Sequence, residues 1–226
     1  MFVHDLVGTE QHPAYQQLSA ENLDRQYSFL RSVTVASLQL GQPMLSIEVI
    51  KALNYHAVSC LHASAGEFRV WPVTVGDPSK ADDPDAFKPP LHIQVPPLMQ
   101  MFTNQVNRMW DGNDAVTLAA FVLWRLNHIH PFINGNGRTA RAACHFVLCL
   151  RAGGWLPGDP ILPELIRTNR PEYVARLKAV DATFKAGALD LTPLHEFLMR
   201  LIDEQLKSAA PPPPPLQLPG PVVEPA

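Results

Sequence analysis

Cysteine is scarce. The three in 226 residues are Cys60, Cys144 and Cys149, with no Cys-x-x-C pair. That excludes a disulfide framework and a paired-thiolate metal site, and the apolar surroundings read as those of buried free thiols. Long apolar runs are missing too. The longest starts at Ala115 and meets Arg125 and Asn127, short of the ~20 residues a spanning helix needs. Asp5 and Glu10 interrupt the first ten residues, so no secretory leader is expected and the chain reads as a soluble protein. Charge is modest: 17% of residues are charged and the formal net charge is −3. No basic nucleic-acid surface follows, and neither nucleic acid nor membrane is an expected partner.

Proline, by contrast, is plentiful, at 23 residues. Much of it gathers after Ala210, where five consecutive prolines open a stretch without helical pattern. The expected organisation is an N-terminal helical extension over 1–41, a core domain over 42–208 and a Pro-rich, disordered tail over 209–226.

Apolar spacing predicts a mainly α fold. Ser19 is a cap candidate for a helix running to about Leu40 and stopped by Gly41-Gln42-Pro43. Ser46 caps a helix to Leu61, and Leu98–Met109 gives a third. Asp114 caps an all-round apolar helix over Ala115–Ile129, and a second apolar helix covers Ala142–Leu150. Pro171 and Thr192-Pro193 open two later helices. Two short β-type runs interrupt the pattern: Val70-Trp71-Pro72-Val73-Thr74-Val75 and Leu91-His92-Ile93-Gln94-Val95. Joined by a long acidic loop, they predict a hairpin, with Pro72 marking an edge strand. His128 and His130 form an H-x-H, but positions two apart face different ways at a helix end and no third ligand follows, so zinc is not expected.

Between the two core helices lies His130-Pro131-Phe132-Ile133-Asn134-Gly135-Asn136-Gly137-Arg138-Thr139-Ala140-Arg141. Gly135 and Gly137 permit positive φ and close approach to the backbone. Successive N–H groups there suit an anion nest, and the following helix adds its N-terminus. Arg138 and Arg141, three apart, share a helix face and present two guanidinium forks. His130 stands beside them as a group able to take a proton near neutral pH. The same residues also suit a plain glycine-rich helix connection with a core-edge histidine.

This stretch resembles the signature of the Fic family, H-P-F-x-(D/E)-G-N-G-R-x-x-R. Every fixed position is met except Asn134, where the family usually has Asp or Glu. The resemblance implies a Fic-type helical bundle with a small β-hairpin flap. It also implies transfer of AMP from ATP to a Ser, Thr or Tyr hydroxyl of a target protein. On that likeness His130 is the general base and Phe132 a core anchor. Gly135, Asn136 and Gly137 cradle the α- and β-phosphates, and Arg138 and Arg141 hold the β- and γ-phosphates. Asn134 takes the place of the carboxylate that holds Mg²⁺, so weaker Mg²⁺ binding is expected.

The flap, with Val70, Trp71, Val73, Val75 and Ile93, would clamp the target backbone by strand addition. Glu21-Asn22 matches the end of the family's inhibitory motif (S/T)-x-x-x-E-(G/N), whose Glu pairs with the last signature Arg. Its first position here is Gln17, and an ordinary helix-start carboxylate is the alternative. Tyr173 is a candidate stacking partner for adenine, or else a core tyrosine. Two alternatives to AMP transfer stand beside it: transfer of another group (UMP, phosphocholine or phosphate), and a nucleotide-binding regulator weakened by Asn134. ATP as donor implies a cytoplasmic location, and a regulatory partner is compatible with the resemblance.

Overall fold

The computed structural model describes residues 2–41, 44–75 and 87–209. Among them it is helical almost throughout. The elements are α1 (Val3–Val7), α2 (Pro13–Gln39), α3 (Ile47–Val58), α4 (Val95–Met109), α5 (Ala115–Ile129), α6 (Asn136–Arg151), α7 (Leu162–Thr168), α8 (Arg170–Lys185) and α9 (Thr192–Lys207). The Gln42-Pro43 stop, the acidic loop 76–86 and the tail 210–226 lie outside the described residues. No described helix is long and apolar enough to cross a membrane.

α5 and α6 form the centre. Both are apolar nearly all round, so both are covered on several sides. α4, α8 and α9 pack on α5, while α2, α3 and α7 pack on α6. Trp124, Phe102, Phe132, Phe146 and Phe197 are the largest side chains sealed inside, each stabilising the fold by roughly 1.5–3 kcal/mol through burial. The α5–α6 pair therefore holds the connecting loop in place from both ends.

The caps follow the sequence at two helices. Ser46 Oγ accepts from the Val49 N–H at 3.2 Å, and Asp114 Oδ1 accepts from Val116 and Thr117 at 3.0 and 2.9 Å. α2 differs: it starts at Pro13, not after Ser19, with the His12 ring nitrogen accepting from the Ala14 N–H at 3.2 Å. Proline suits a first helical turn, where its missing N–H has no partner to lose, and Ser19 is left within the helix.

The second β-type run is corrected as well. His92–Gln94 is a turn of 3₁₀ helix leading into α4, so Ile93 is not in a strand. Pro96-Pro97 set helical φ in the first turn of α4, and that overrides the alternation before them. Val70–Val75 is non-helical and pairs with no strand among the described residues. Strand-type pairing among the described residues is confined to one antiparallel bridge between Phe68 and Phe132.

Cys144 and Cys149 are buried free thiols, but Cys60 is exposed. α3 ends at Val58, and Cys60, at φ +62°, turns outward in a left-handed conformation.

Candidate active site

The signature loop is built from its backbone outward. α5 ends in His130, whose φ of +51° is left-handed. Phe132 drops into the core and bridges to Phe68. Asn136 then ties the loop into a ring: its Oδ1 accepts from the Phe132 N–H at 2.9 Å, and its Nδ2 donates to the Phe132 carbonyl at 2.8 Å. The Asn136 side chain is thus a brace, and only its backbone N–H remains for an anion.

Gly135 sits at φ +78°, and a Cβ there would come within 2.7 Å of Val58 Cγ1 and 3.0 Å of Asn54 Nδ2. Only glycine satisfies both conditions. Gly137 begins α6, where an added Cβ would stand 3.2 Å from Arg141 Nη1.

Asn54, fully buried on α3, was not singled out in the sequence. Its Nδ2 donates to the Asn134 carbonyl at 2.9 Å and to Thr139 Oγ1 at 3.2 Å, and its Oδ1 accepts from the Gly66 N–H at 3.0 Å. Asn54→Ala is expected to lower stability by about 3 kcal/mol, because it orphans buried groups on two loops. Thermal unfolding checks this, with hydrogen exchange at Asn134–Gly137 rising in step.

Arg69 is a second residue whose role the sequence hides. It is 2% exposed. Its Nε donates to the His130 carbonyl at 2.8 Å, its Nη1 to the Trp71 carbonyl at 3.3 Å and its Nη2 to the Pro90 carbonyl. The Arg69 N–H donates to the Pro131 carbonyl at 2.8 Å.

A cavity of about 1150 Å³ opens beside the loop. His130, Asn134, Gly135, Asn136, Gly137, Arg138 and Arg141 all line it. Its walls include α8, through Arg170, Tyr173, Leu177 and Asp181, and α2, through Gln16, Ser19, Ala20 and Leu23.

The two arginines differ. Arg138 is fully engaged: Nη1 donates to Ser19 Oγ at 3.0 Å and to the Ala57 carbonyl at 2.8 Å, and Nη2 donates to Asn134 Oδ1 at 2.8 Å. Arg141 makes no hydrogen bond among the described residues, and its Nε is buried without a partner. A buried unpaired donor is costly, so of the two forks Arg141 is the one in need of an anion.

Burial drives the His130 pKa down to about 4, with the charge on Arg69 adding to the shift and a hydrogen bond to the Asn127 carbonyl opposing it. The imidazole is therefore neutral at pH 7. A neutral imidazole keeps one ring nitrogen as a proton acceptor. Burial likewise lowers the fully buried His145 to about 3. A histidine with a folded pKa below its ordinary 6.5 takes up protons more readily when unfolded. Its contribution to stability is therefore complete above the ordinary value and is lost as pH falls toward the folded one. Acid destabilisation is expected to begin below about pH 6.5 and to be shallower in a His130→Gln variant, as measured by denaturant titration across pH.

Glu21 lies away from the cavity, on the exposed side of α2, 3.4 Å from Arg25. α2 starts seven residues earlier than expected, and its cavity face falls at Gln16, Ser19, Ala20 and Leu23. Tyr173 is buried; its hydroxyl accepts from Asn127 Nδ2 at 2.8 Å, and its ring stacks on Phe197 at 6.2 Å. It lines the cavity as part of a packed wall. Of the flap residues, Val70 (61%), Trp71 (67%) and Ile93 (70%) are exposed, while Val73 and Val75 are half-buried and Val75 lines the cavity.

Residues 45–148 match the Fic/DOC family. A protein adenylyltransferase Fic of Drosophila willistoni is 38% identical over 142 residues, 62% of this chain and 24% of that protein. One of Drosophila mojavensis is 30% identical over the same length. The chain spans about a quarter of the length of these curated relatives. A crystal structure of a Fic domain containing signaling protein from Bacteroides thetaiotaomicron superposes with a TM-score of 0.65 at 21% identity, covering 91% of this chain and 76% of that one. Fic-1 from C. elegans gives a TM-score of 0.65 at 19% identity, covering 90% and 55%. Sequence match and shared helical fold agree, and the chain carries a Fic/DOC family domain over residues 45–148.

Proposed function

We propose that this chain is a protein adenylyltransferase, transferring AMP from ATP to a hydroxyl of a target protein. The observation that carries the reading is the meeting of a neutral imidazole, a glycine-bounded loop and an unpaired guanidinium around one cavity. The names of the Drosophila relatives support the donor and the reaction type.

The chemistry follows from the parts. The target hydroxyl oxygen bonds to the α-phosphorus while its proton passes to the free nitrogen of His130. The bond from the α-phosphorus to the bridging oxygen breaks, and pyrophosphate leaves with the electron pair. Arg141 and the N–H groups at the start of α6 offset the charge on that leaving group. Arg138 holds Asn134, Ser19 and α3 together at the edge of the cradle. The exposed strip at Val70 and Trp71, running on to the cavity at Thr74 and Val75, offers extended backbone to a target segment. ATP as donor supports work inside a cell, and the cytoplasm is the location this reading favours.

A divalent cation normally accompanies ATP, held by one or two carboxylates plus the phosphates. Asn134 alone fits that need poorly: its oxygen is uncharged and already accepts from Arg138. A carboxylate does stand against it, however, since Asn134 Nδ2 donates to Glu10 Oε1 at 2.5 Å. It meets the amide N–H and not the amide oxygen, and it does not line the cavity, so these two side chains do not fit a divalent cation as they stand.

The test is incubation with ATP radiolabelled at the α-phosphate, Mg²⁺ or Mn²⁺ and a protein extract. Label on protein is expected, rising in Asn134→Asp. ATP binding with no transfer by either form would instead make the chain a nucleotide-binding regulator.

A further inference from the structure

We propose that Arg170, the first residue of α8, joins Arg141 in holding the outermost phosphate of the donor, so that guanidinium groups of this chain meet triphosphate charge that a cation held at position 134 would otherwise meet. The inference rests on the nucleotide-transfer reading above.

The cavity is charged unevenly. Among the described residues, Arg138, Arg141, Arg167, Arg170 and Lys178 line it against the one carboxylate of Asp181. α8 supplies both extremes on a single face, with Arg170, Tyr173, Leu177 and Asp181 following one another at helical spacing. At 1.5 Å per residue this wall runs roughly 16 Å from its cation to its anion.

Each end has a fixed neighbour. Asp181 Oδ1 accepts from Trp124 Nε1 at 2.9 Å and lies 2.8 Å from His128 Nδ1, on the helix that ends in His130. Tyr173 marks the middle, tied to Asn127. Burial raises the Tyr173 pKa, and the charges on Arg141 and Arg170 both oppose that rise. The two guanidiniums, one from α6 and one from α8, therefore lie within electrostatic reach of the same hydroxyl. A nucleotide laid along this wall has its negative chain drawn to the Arg170 end.

The cations lining the cavity are not equally available. Arg138 is held by Ser19, Ala57 and Asn134. Arg167 Nε donates to Glu164 Oε2 at 2.8 Å. Arg170 is exposed and has no hydrogen-bond or ion-pair partner among the described residues. The carboxylate nearest to it in sequence, Glu172, is already paired with Arg176 at 3.2 Å and Arg200 at 2.6 Å. Arg141 is likewise uncommitted, with a buried Nε that lacks a partner. Two like charges at one end of a cavity repel each other until an anion joins them. A terminal phosphate has oxygens enough to accept from both forks. At position 134, by contrast, the side-chain oxygen is turned to Arg138 and leaves no open ligand for a divalent cation.

The experiment is equilibrium titration of the full chain with α,β-methylene-ATP and with α,β-methylene-ADP, which lacks the outermost phosphate. Each is run in excess EDTA and again with Mg²⁺. The variants are Arg170→Gln and, as a control on the same helix, Arg176→Gln; thermal unfolding confirms that both fold. The parent is expected to bind the triphosphate analogue with comparable affinity in EDTA and in Mg²⁺. In EDTA, Arg170→Gln should weaken that binding roughly tenfold or more and leave the diphosphate analogue unaffected. Arg176→Gln should change neither. Unchanged triphosphate affinity in Arg170→Gln would overturn the proposal and make Arg170 a solvated surface residue. Equal loss for the two analogues would overturn it too, by making Arg170 a support of the cavity wall. So would a parent that binds the triphosphate analogue only when Mg²⁺ is present. All three results leave the transfer reading intact. Failure of the parent to bind either analogue, with or without Mg²⁺, would overturn both.

Discussion

His130→Ala is expected to lower AMP transfer by roughly 10²–10⁴-fold, the usual contribution of a positioned general base, with little change in nucleotide affinity. The separation follows from where the residue sits. The imidazole lines the cavity at the end of α5, while the cradle is formed by the loop and the start of α6. Removing the ring takes away the proton acceptor and leaves the Asn136 brace and the Arg69 contact to the His130 carbonyl, both of which use backbone or other side chains. Single-turnover labelling from α-labelled ATP gives the rate, and equilibrium titration with a non-transferable analogue gives the affinity. Equal loss of both would assign His130 a structural role. Full transfer by the alanine form would remove the imidazole from the mechanism.

Arg141→Met should act in the opposite way. Charge-assisted hydrogen bonds are worth about 1.5–3 kcal/mol each, so losing the fork that faces the polyphosphate should weaken nucleotide binding roughly 10–100-fold. The free protein, however, should be no less stable, and the variant may be compared directly with the parent by thermal unfolding. The reason is the buried Arg141 Nε, which has no partner; a thioether side chain of similar length fills the space without a polar group to satisfy. Arg138→Met is the useful contrast. Three of its hydrogen bonds hold Ser19, Ala57 and Asn134, so stability should fall along with binding. If Arg141→Met were destabilising and Arg138→Met neutral, the division of labour between the two arginines would be reversed.

What the sequence made legible is what local chemistry determines. Ser46 and Asp114 cap the helices they were expected to cap because a cap contacts a backbone N–H two or three residues away. The loop was legible for the same reason: glycine spacing and two arginines on one helix face are neighbours in the chain. Failures came where a local signal met a stronger one nearby. The alternation over Leu91–Val95 suggested a strand, but Pro96-Pro97 placed the start of a helix there. Ser19 had the chemistry of a cap, yet Pro13 opened α2 first, and the Ser19 hydroxyl instead accepts from Arg138. Asn54, Arg69 and Glu10 were not legible at all. Their partners on the signature loop lie 61 to 124 positions away, and an isolated polar residue does not announce which distant backbone it will meet.

The Arg69 guanidinium grips the chain at Trp71 and at Pro90 while its Nε holds the peptide oxygen of His130. Both ends of the intervening excursion are thus riveted to a single rigid fork. Whatever spans those two rivets can be lengthened, shortened or re-coloured for a new client without shifting the imidazole next door, so recognition can drift over generations while the chemistry stays still.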